Sequence, residues 1–180
     1  MNKLIILDRD GVINQDSDQY VKSADEWIAI PGSAEAIARL CNNGFKVVVA
    51  TNQSGLSRGY FELTDLQAMH DKMNSLIAAA GGCLDGIFFC PHGPDDQCDC
   101  RKPLPGLIDQ IEAELNCSAK DAIMIGDSLR DLQAGQARGC RALLVLTGKG
   151  SKTLAKGVGL DGVPHFDDLA AAVDYILNAE

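Results

Sequence analysis

The 180-residue sequence has no apolar run near the ~20 residues that a membrane span needs. Its opening stretch, Met1 to Leu7, is too short for a secretory signal before charge intervenes. A cytoplasmic protein with no membrane attachment is expected. Basic charge is also scarce, with 16 Lys plus Arg against 25 Asp plus Glu and a formal net charge of −9. Proteins that track a nucleic-acid backbone are normally basic, so a nucleic-acid partner is not expected. Aromatic residues make up 5% of the chain and form no stripe among basic residues, which removes the usual stacking platform for single strands. No repeat, low-complexity tract or linker interrupts the chain. The seven cysteines are an odd count in a chain expected to stay in the cytoplasm, which argues against a disulfide scaffold.

What is present suits one globular domain over 1–180. Hydrophobic residues account for 46% and charged residues for 23%, and a chain of this length buries roughly 70% of its unfolded surface. Short, continuous apolar runs at Lys3–Leu7, Phe45–Ala50, Gly86–Phe89, Ala122–Ile125 and Ala142–Leu146 read as strands buried on both faces. Helical patterns alternate with them. Pro31 suits the first turn before Ser33–Leu40, and Gly44 follows as a stop. Thr64 with Gln67 reads as a capping box for Leu66–Ala80. Pro105 opens Gly106–Leu115, Ser128 opens Leu129–Arg138, and Asp167 caps Leu169–Leu177. Gly148–Gly162 reads as a surface loop. Alternation of this kind predicts an α/β fold with a central parallel sheet and helices on both faces. Ligands in such folds bind beyond the carboxyl ends of the strands.

The polar residues at those ends support one chemistry. In LDRDG, Leu7–Gly11, two carboxylates stand two residues apart as a buried strand ends. A carboxylate nucleophile splits phosphate ester hydrolysis into two easier displacements through an aspartyl-phosphate. A second carboxylic acid protonates the leaving oxygen and then deprotonates water. Asp8 fits the first role and Asp10 the second, and Gly11 lets the chain turn with no side chain over the phosphate. Two carboxylates facing a phosphate call for Mg²⁺. Asp127 in IGDSLRD offers a further ligand, so Asp8, Asp10 and Asp127 are the expected magnesium site. Thr51 and the amides of TNQSG supply donors and Lys102 supplies charge for the equatorial oxygens.

The set LDRDG, VVATNQSG, CRKP and MIGDSLRD resembles the haloacid dehalogenase (HAD) superfamily of phosphotransferases, over nearly the whole chain. Its four motifs match Asp8/Asp10, Thr51, Lys102 and Asp127. The resemblance implies a three-layer, Rossmann-like domain. Val12 stands where many members carry Thr, a position outside the chemistry. The gaps between motifs leave no room for a cap domain, so specificity falls to the short loops Asn14–Trp27 and Gly93–Arg101.

CPHGPDDQCDC contributes Cys90, His92, Cys98 and Cys100, a set with the donors of a closed tetrahedral zinc site. All four positions are filled by protein, so a structural role is expected, holding Arg101 and Lys102 rigidly at the phosphate edge. Cys41, Cys83, Cys117 and Cys140 read as packing residues. His70 reads as an ordinary helix residue and His165 as surface.

A capless HAD domain with this cysteine loop and CDCRKP is similar to a subgroup containing heptose bisphosphate phosphatases and histidinol-phosphatases. DRDGVIN, TNQSGLSRGYF and CDCRKPLPG lean toward the former. The resemblance implies a bacterial monomer acting on a small sugar bisphosphate during lipopolysaccharide heptose synthesis. It implies that Lys102 and Thr51 stabilise the transferring phosphoryl group and that Arg101 recognises substrate. It further implies substrate contacts from Asn52, Gln53 and Ser54 and from an early loop near Asp16–Tyr20, with Asp16 and Tyr20 as the candidates. Histidinol phosphate remains the alternative substrate, and the anomer of the sugar is not readable.

Overall fold

The computed structural model describes residues 2–179. Its order of elements is β1 (Leu4–Leu7), α1 (Ser33–Asn42), β2 (Lys46–Asn52), α2 (Leu63–Ala79), β3 (Gly86–Cys90), α3 (Gly106–Leu115), β4 (Ile123–Gly126), α4 (Leu129–Gln136), β5 (Arg141–Val145), α5 (Gly150–Lys156), β6 (His165–Phe166) and α6 (Leu169–Asn178). All five strand pairings are parallel, in the spatial order β3-β2-β1-β4-β5-β6.

The apolar strands alternate between two cores because successive side chains leave a strand on opposite faces. Ile5 and Leu7 of β1, Val47 and Val49 of β2 and Ile123 and Ile125 of β4 enter one core. That core is closed by Ile37 and Leu40 of α1, Met69 and Met73 of α2, and Val173 and Ile176 of α6. Leu4, Ile6, Val48, Ala50 and Met124 face the other way and meet Leu107, Ile108 and Ile111 of α3. Helices therefore cover both faces, as the two-sided apolar strands require.

Strand order reverses between β1 and β4, and at such a switch point the loops diverge and leave a crevice. Asp8 and Asp127 are the residues that follow these two strands.

Several local expectations differ from the structure. The capping box of α2 is Glu62 with Asp65, not Thr64 with Gln67, so the helix starts three residues earlier. Asp168, not Asp167, caps α6, by accepting from Ala171 N at 2.9 Å. Each site offers two candidates within two residues of one another, and only the backbone turn decides which side chain reaches the free amides. Gly148–Gly162 is not all loop. It contains α5, whose Leu154 packs against a small cluster of Leu132, Ala142 and Leu144. β6 has two residues, and its segment is tied to the sheet by Leu144 N to Pro164 O at 3.0 Å and Leu146 N to Phe166 O at 2.9 Å. Neither element is long enough to carry a periodic signal.

Candidate active site

The sheet ladder runs one residue past β1, because Asp8 N donates to Ile125 O at 3.0 Å. That bond fixes the Asp8 backbone at the β1/β4 crevice. The chain then turns around the Arg9 carbonyl, which accepts from Val12 N and Ile13 N. Gly11 sits in this turn at φ 87°, and a Cβ there would run into the Asp127 carboxylate. Glycine is required on both counts. Gly126 likewise leaves space that the Asp131 side chain fills.

Lys102 is almost fully buried, and its ammonium group joins three elements. Nζ lies 2.9 Å from Asp8 Oδ1, 2.7 Å from Asp131 Oδ1 and 2.7 Å from Ala50 O. Asn52 holds the main chain of Lys102 from both sides: its Oδ1 accepts from Lys102 N at 3.0 Å and its Nδ2 donates to Lys102 O at 3.1 Å. Asp131 belongs to the first turn of α4, where it forms a capping box with Ser128. Asp127 Oδ2 accepts from Lys149 N at 2.9 Å. The Asp10 carboxylate is held by Arg9, Asn14 and Gln53.

The charges are set against one another. Burial, then the Asp131 charge, raises Asp8 to about 7. Burial and Asp8 raise Asp127 to about 9. Burial pushes Asp131 the same way, but Lys102 outweighs it and holds that carboxyl below its usual value. Burial also opposes the charge on Lys102, and Asp131 with Asp8 overcomes it, so its pKa is raised. Asp10 is lowered, because Arg9 and its hydrogen-bond donors outweigh burial.

Asp8, Asp127 and Asp131 place carboxylate oxygens within 4.8 Å of one another. The proton affinities of Asp8 and Asp127 are raised by burial first and by the crowding of anions second, and a hard divalent cation suits such an oxygen set.

A cleft of about 320 Å³ opens above these groups. Asp8, Asp10, Thr51, Lys102 and Asp127 line it, as do the expected substrate residues Asp16, Tyr20, Asn52, Gln53, Ser54 and Arg101. Sequence reasoning missed Asp131, Arg130 and Lys149 on the same wall. It also missed Arg9, which is fully buried behind Asp10. Asp131 had a signal, the second carboxylate of GDSLRD four residues after Asp127. Arg9 had none, since an Arg between two Asp residues reads as a solvated charge.

At the end of β3, three sulfurs converge. Cys90 Sγ lies 2.9 Å from Cys100 Sγ and 3.9 Å from Cys98 Sγ. Main-chain amides of Arg101 and Cys100 outweigh burial and lower the Cys98 pKa, while burial raises Cys90. Three soft sulfurs converging in this way fit zinc better than a hard cation. His92 stands outside this group of sulfurs within 4.8 Å. Its main-chain carbonyl accepts from Arg101 Nη1 at 3.2 Å, which ties the loop to Arg101.

A family profile described as HAD-hydrolase-like matches residues 99–172. D-glycero-beta-D-manno-heptose-1,7-bisphosphate 7-phosphatase of Bordetella bronchiseptica is 56% identical over 97% of this chain and 98% of its own. The protein of the same name from Pseudomonas aeruginosa is 53% identical over 97% of both chains. A crystal structure of D,D-heptose 1,7-bisphosphate phosphatase from B. bronchiseptica, complexed with magnesium and phosphate, superposes with a TM-score of 0.96 at 55% identity. The match covers 99% of each chain. No helix among the described residues is long and apolar enough to cross a membrane. With the aspartate pair, the buried lysine and the capless sheet all accounted for, the chain belongs to the D-glycero-beta-D-manno-heptose-1,7-bisphosphate 7-phosphatase family of HAD-like hydrolases.

Proposed function

We propose that this chain is a Mg²⁺-dependent phosphatase that removes the C7 phosphate of D-glycero-D-manno-heptose 1,7-bisphosphate and retains the C1 phosphate. Asp8 attacks phosphorus as the bond to the C7 oxygen breaks, and Asp10 gives that oxygen its proton. Water then attacks the aspartyl-phosphate, Asp10 takes a proton from it, and inorganic phosphate leaves with Asp8 restored. Asp8 Oδ1 accepts from Arg9 N at 2.8 Å and from Lys102 Nζ, which leaves Oδ2 for phosphorus. Lys102 and Thr51 face the transferred oxygens. Asp8, Asp127 and Asp10 would hold Mg²⁺, which would supply positive charge against the carboxylates and the phosphoryl group. Cys90, Cys98 and Cys100, with His92 from the same loop, would hold Zn²⁺ in a structural role that would stiffen the loop carrying Arg101 and Lys102. The protein works as a single-domain monomer in the bacterial cytoplasm.

The observation that carries the bisphosphate is a group of arginines with no acidic partner. Burial, then Arg130 and Arg58, which lie close by, depress the Arg101 pKa. Among the described residues, none of the three forms an ion pair. Arg58 instead stacks over the Tyr20 ring at 5.8 Å, and Arg101 and Arg130 line the cleft beyond Lys102. Three unpaired cations on an acidic protein suit a second phosphate, which histidinol phosphate lacks. The test is ³¹P NMR of products from both substrates, with Arg101→Ala alongside. Heptose 1-phosphate should accumulate, and Arg101→Ala should cost about 2–3 kcal/mol in kcat/KM on the bisphosphate and far less on a monophosphate. Loss of the C1 phosphate, or preference for histidinol phosphate, would overturn the assignment.

A further inference from the structure

Arg9 lies inside the catalytic motif yet points away from the cleft. It is fully buried. Its Nε and Nη2 reach Asp10 Oδ1 at 3.1 and 2.8 Å, and its Nη1 lies 3.2 Å from His70 Nε2 and 4.0 Å from Met69 Sδ. Burial and the Arg9 charge keep His70 neutral, with its pKa lowered to about 4, so the ring serves Arg9 as an acceptor and not as a rival cation. Asn14 Nδ2 adds a third donor to the same Asp10 Oδ1 at 2.9 Å. Asn14 Oδ1 is buried with no partner. A buried unsatisfied oxygen costs stability, so the amide is oriented for Asp10 at the expense of its other end. The other carboxylate oxygen, Oδ2, has one neutral donor, Gln53 Nε2 at 3.2 Å, whose amide also donates to Thr51 Oγ1 at 2.9 Å.

We propose that Arg9, backed by His70 and joined by Asn14, is a positioning residue. It saturates Asp10 Oδ1 and so makes Oδ2 the one atom that handles protons in both half-reactions. The inference rests on the phosphatase reading above. In the first half-reaction Oδ2–H protonates the departing oxygen as the phosphorus–oxygen bond breaks. In the second, Oδ2 accepts a proton from water as its oxygen bonds to phosphorus and the Asp8 carboxylate is released. An Asp10 free to rotate presents either oxygen, off the line of transfer, and misplacement of that order costs about 10²-fold.

The experiment compares Arg9→Met with wild type in the Mg²⁺-loaded enzyme, using p-nitrophenyl phosphate in rapid-quench and stopped-flow assays. Nitrophenolate leaves without a proton, so formation of the phosphoenzyme bypasses Asp10, while its hydrolysis still needs the base. We expect a nitrophenol burst within a few-fold of the wild-type rate. Steady-state turnover should then fall about 10²-fold as aspartyl-phosphate accumulates. Arg9→Lys should recover part of the loss. Asn14→Ala should shift the same balance in the same direction with less risk to the fold, and it decides the matter should Arg9→Met melt below the assay temperature. Equal loss of burst and turnover, or no loss of either, would show that Arg9 only fills the core. A wild-type protein that releases no phosphate from any ester would refute the phosphatase reading instead.

Discussion

Replacing Asp131 with Asn tests how the charge on Lys102 is held. The change keeps size and shape but removes one negative charge and one acceptor oxygen. In the native structure Asp131 uses both oxygens. Oδ1 meets Lys102 Nζ at 2.7 Å, and Oδ2 accepts from Ser128 N at 3.2 Å and Ser128 Oγ at 3.0 Å. The amide has a single acceptor, so it serves either the lysine or the helix cap. At 2.7 Å and an effective dielectric near 20, the bare attraction is about 6 kcal/mol. Most of that offsets the cost of burying two ions, and breaking such a pair costs about 3–5 kcal/mol. Lys102 keeps Asp8 and Ala50 O, which places Asp131→Asn near the low end, at ~3 kcal/mol. For a domain of this length that is a fall of about 6–12 °C in melting temperature. Asp8 would also be the one carboxylate left to Lys102, and kcat should drop because the ammonium is drawn toward Asp8. The double variant Asp131→Asn/Lys102→Met, in which no buried ammonium is left without Asp131, should recover part of the lost stability, less whatever Asp8 loses with the lysine. Calorimetry on the two single variants and the double gives the coupling directly. A melting temperature unchanged within about a degree for Asp131→Asn, or strict additivity in the cycle, would refute the claim that Asp131 secures the lysine.

The remaining predictions concern the two metals. Mg²⁺ must displace protons from Asp8 and Asp127, whose values are raised to about 7 and about 9. Its affinity should therefore climb with pH across roughly that interval, and calorimetry in buffers of different ionisation enthalpy should detect proton release on binding. The metal-free protein should behave oppositely in stability. Its native state keeps protons that the unfolded chain has lost, so its melting temperature should fall as pH rises from about 5 to 9, and Mg²⁺ should reverse the trend. A flat profile in both would remove the crowded-carboxylate account. Protein prepared without chelators should carry about one zinc per chain. Cys98→Ser should release it and weaken substrate binding more than it lowers the melting temperature, because the cores on the two faces of the sheet draw most of their side chains from strands and helices, and Cys98 is only half-buried at the edge of one of them. Elemental analysis finding no zinc in the wild-type protein would dispose of the site.

The parts of this molecule that could be read from sequence are those where one residue type has one explanation. A run such as Val47–Ala50 is apolar on both faces only if it lies inside a covered sheet, and carboxylates at the ends of two such runs meet if the strands are neighbours at a switch point. Asp8 and Asp127 are legible in this way. The unread parts are those where meaning depends on a neighbour far away in the chain. Asn52 looks like a phosphate donor in TNQSG, but its amide is spent on both sides of the Lys102 main chain. Arg9 looks like a surface charge between two acids, and it is buried only because His70 and Met69 of α2 close over it. Asp131 looks like a helix cap, which it is, and Lys102 makes it also the counterion of the phosphate site. These residues share one logic. Each touches Asp10 or Lys102 and adds a charge or a hydrogen bond that narrows that group to one orientation. Patterns of residue type mark where chemistry can occur. The orientation of that chemistry is set by long-range pairs, and no local pattern records them.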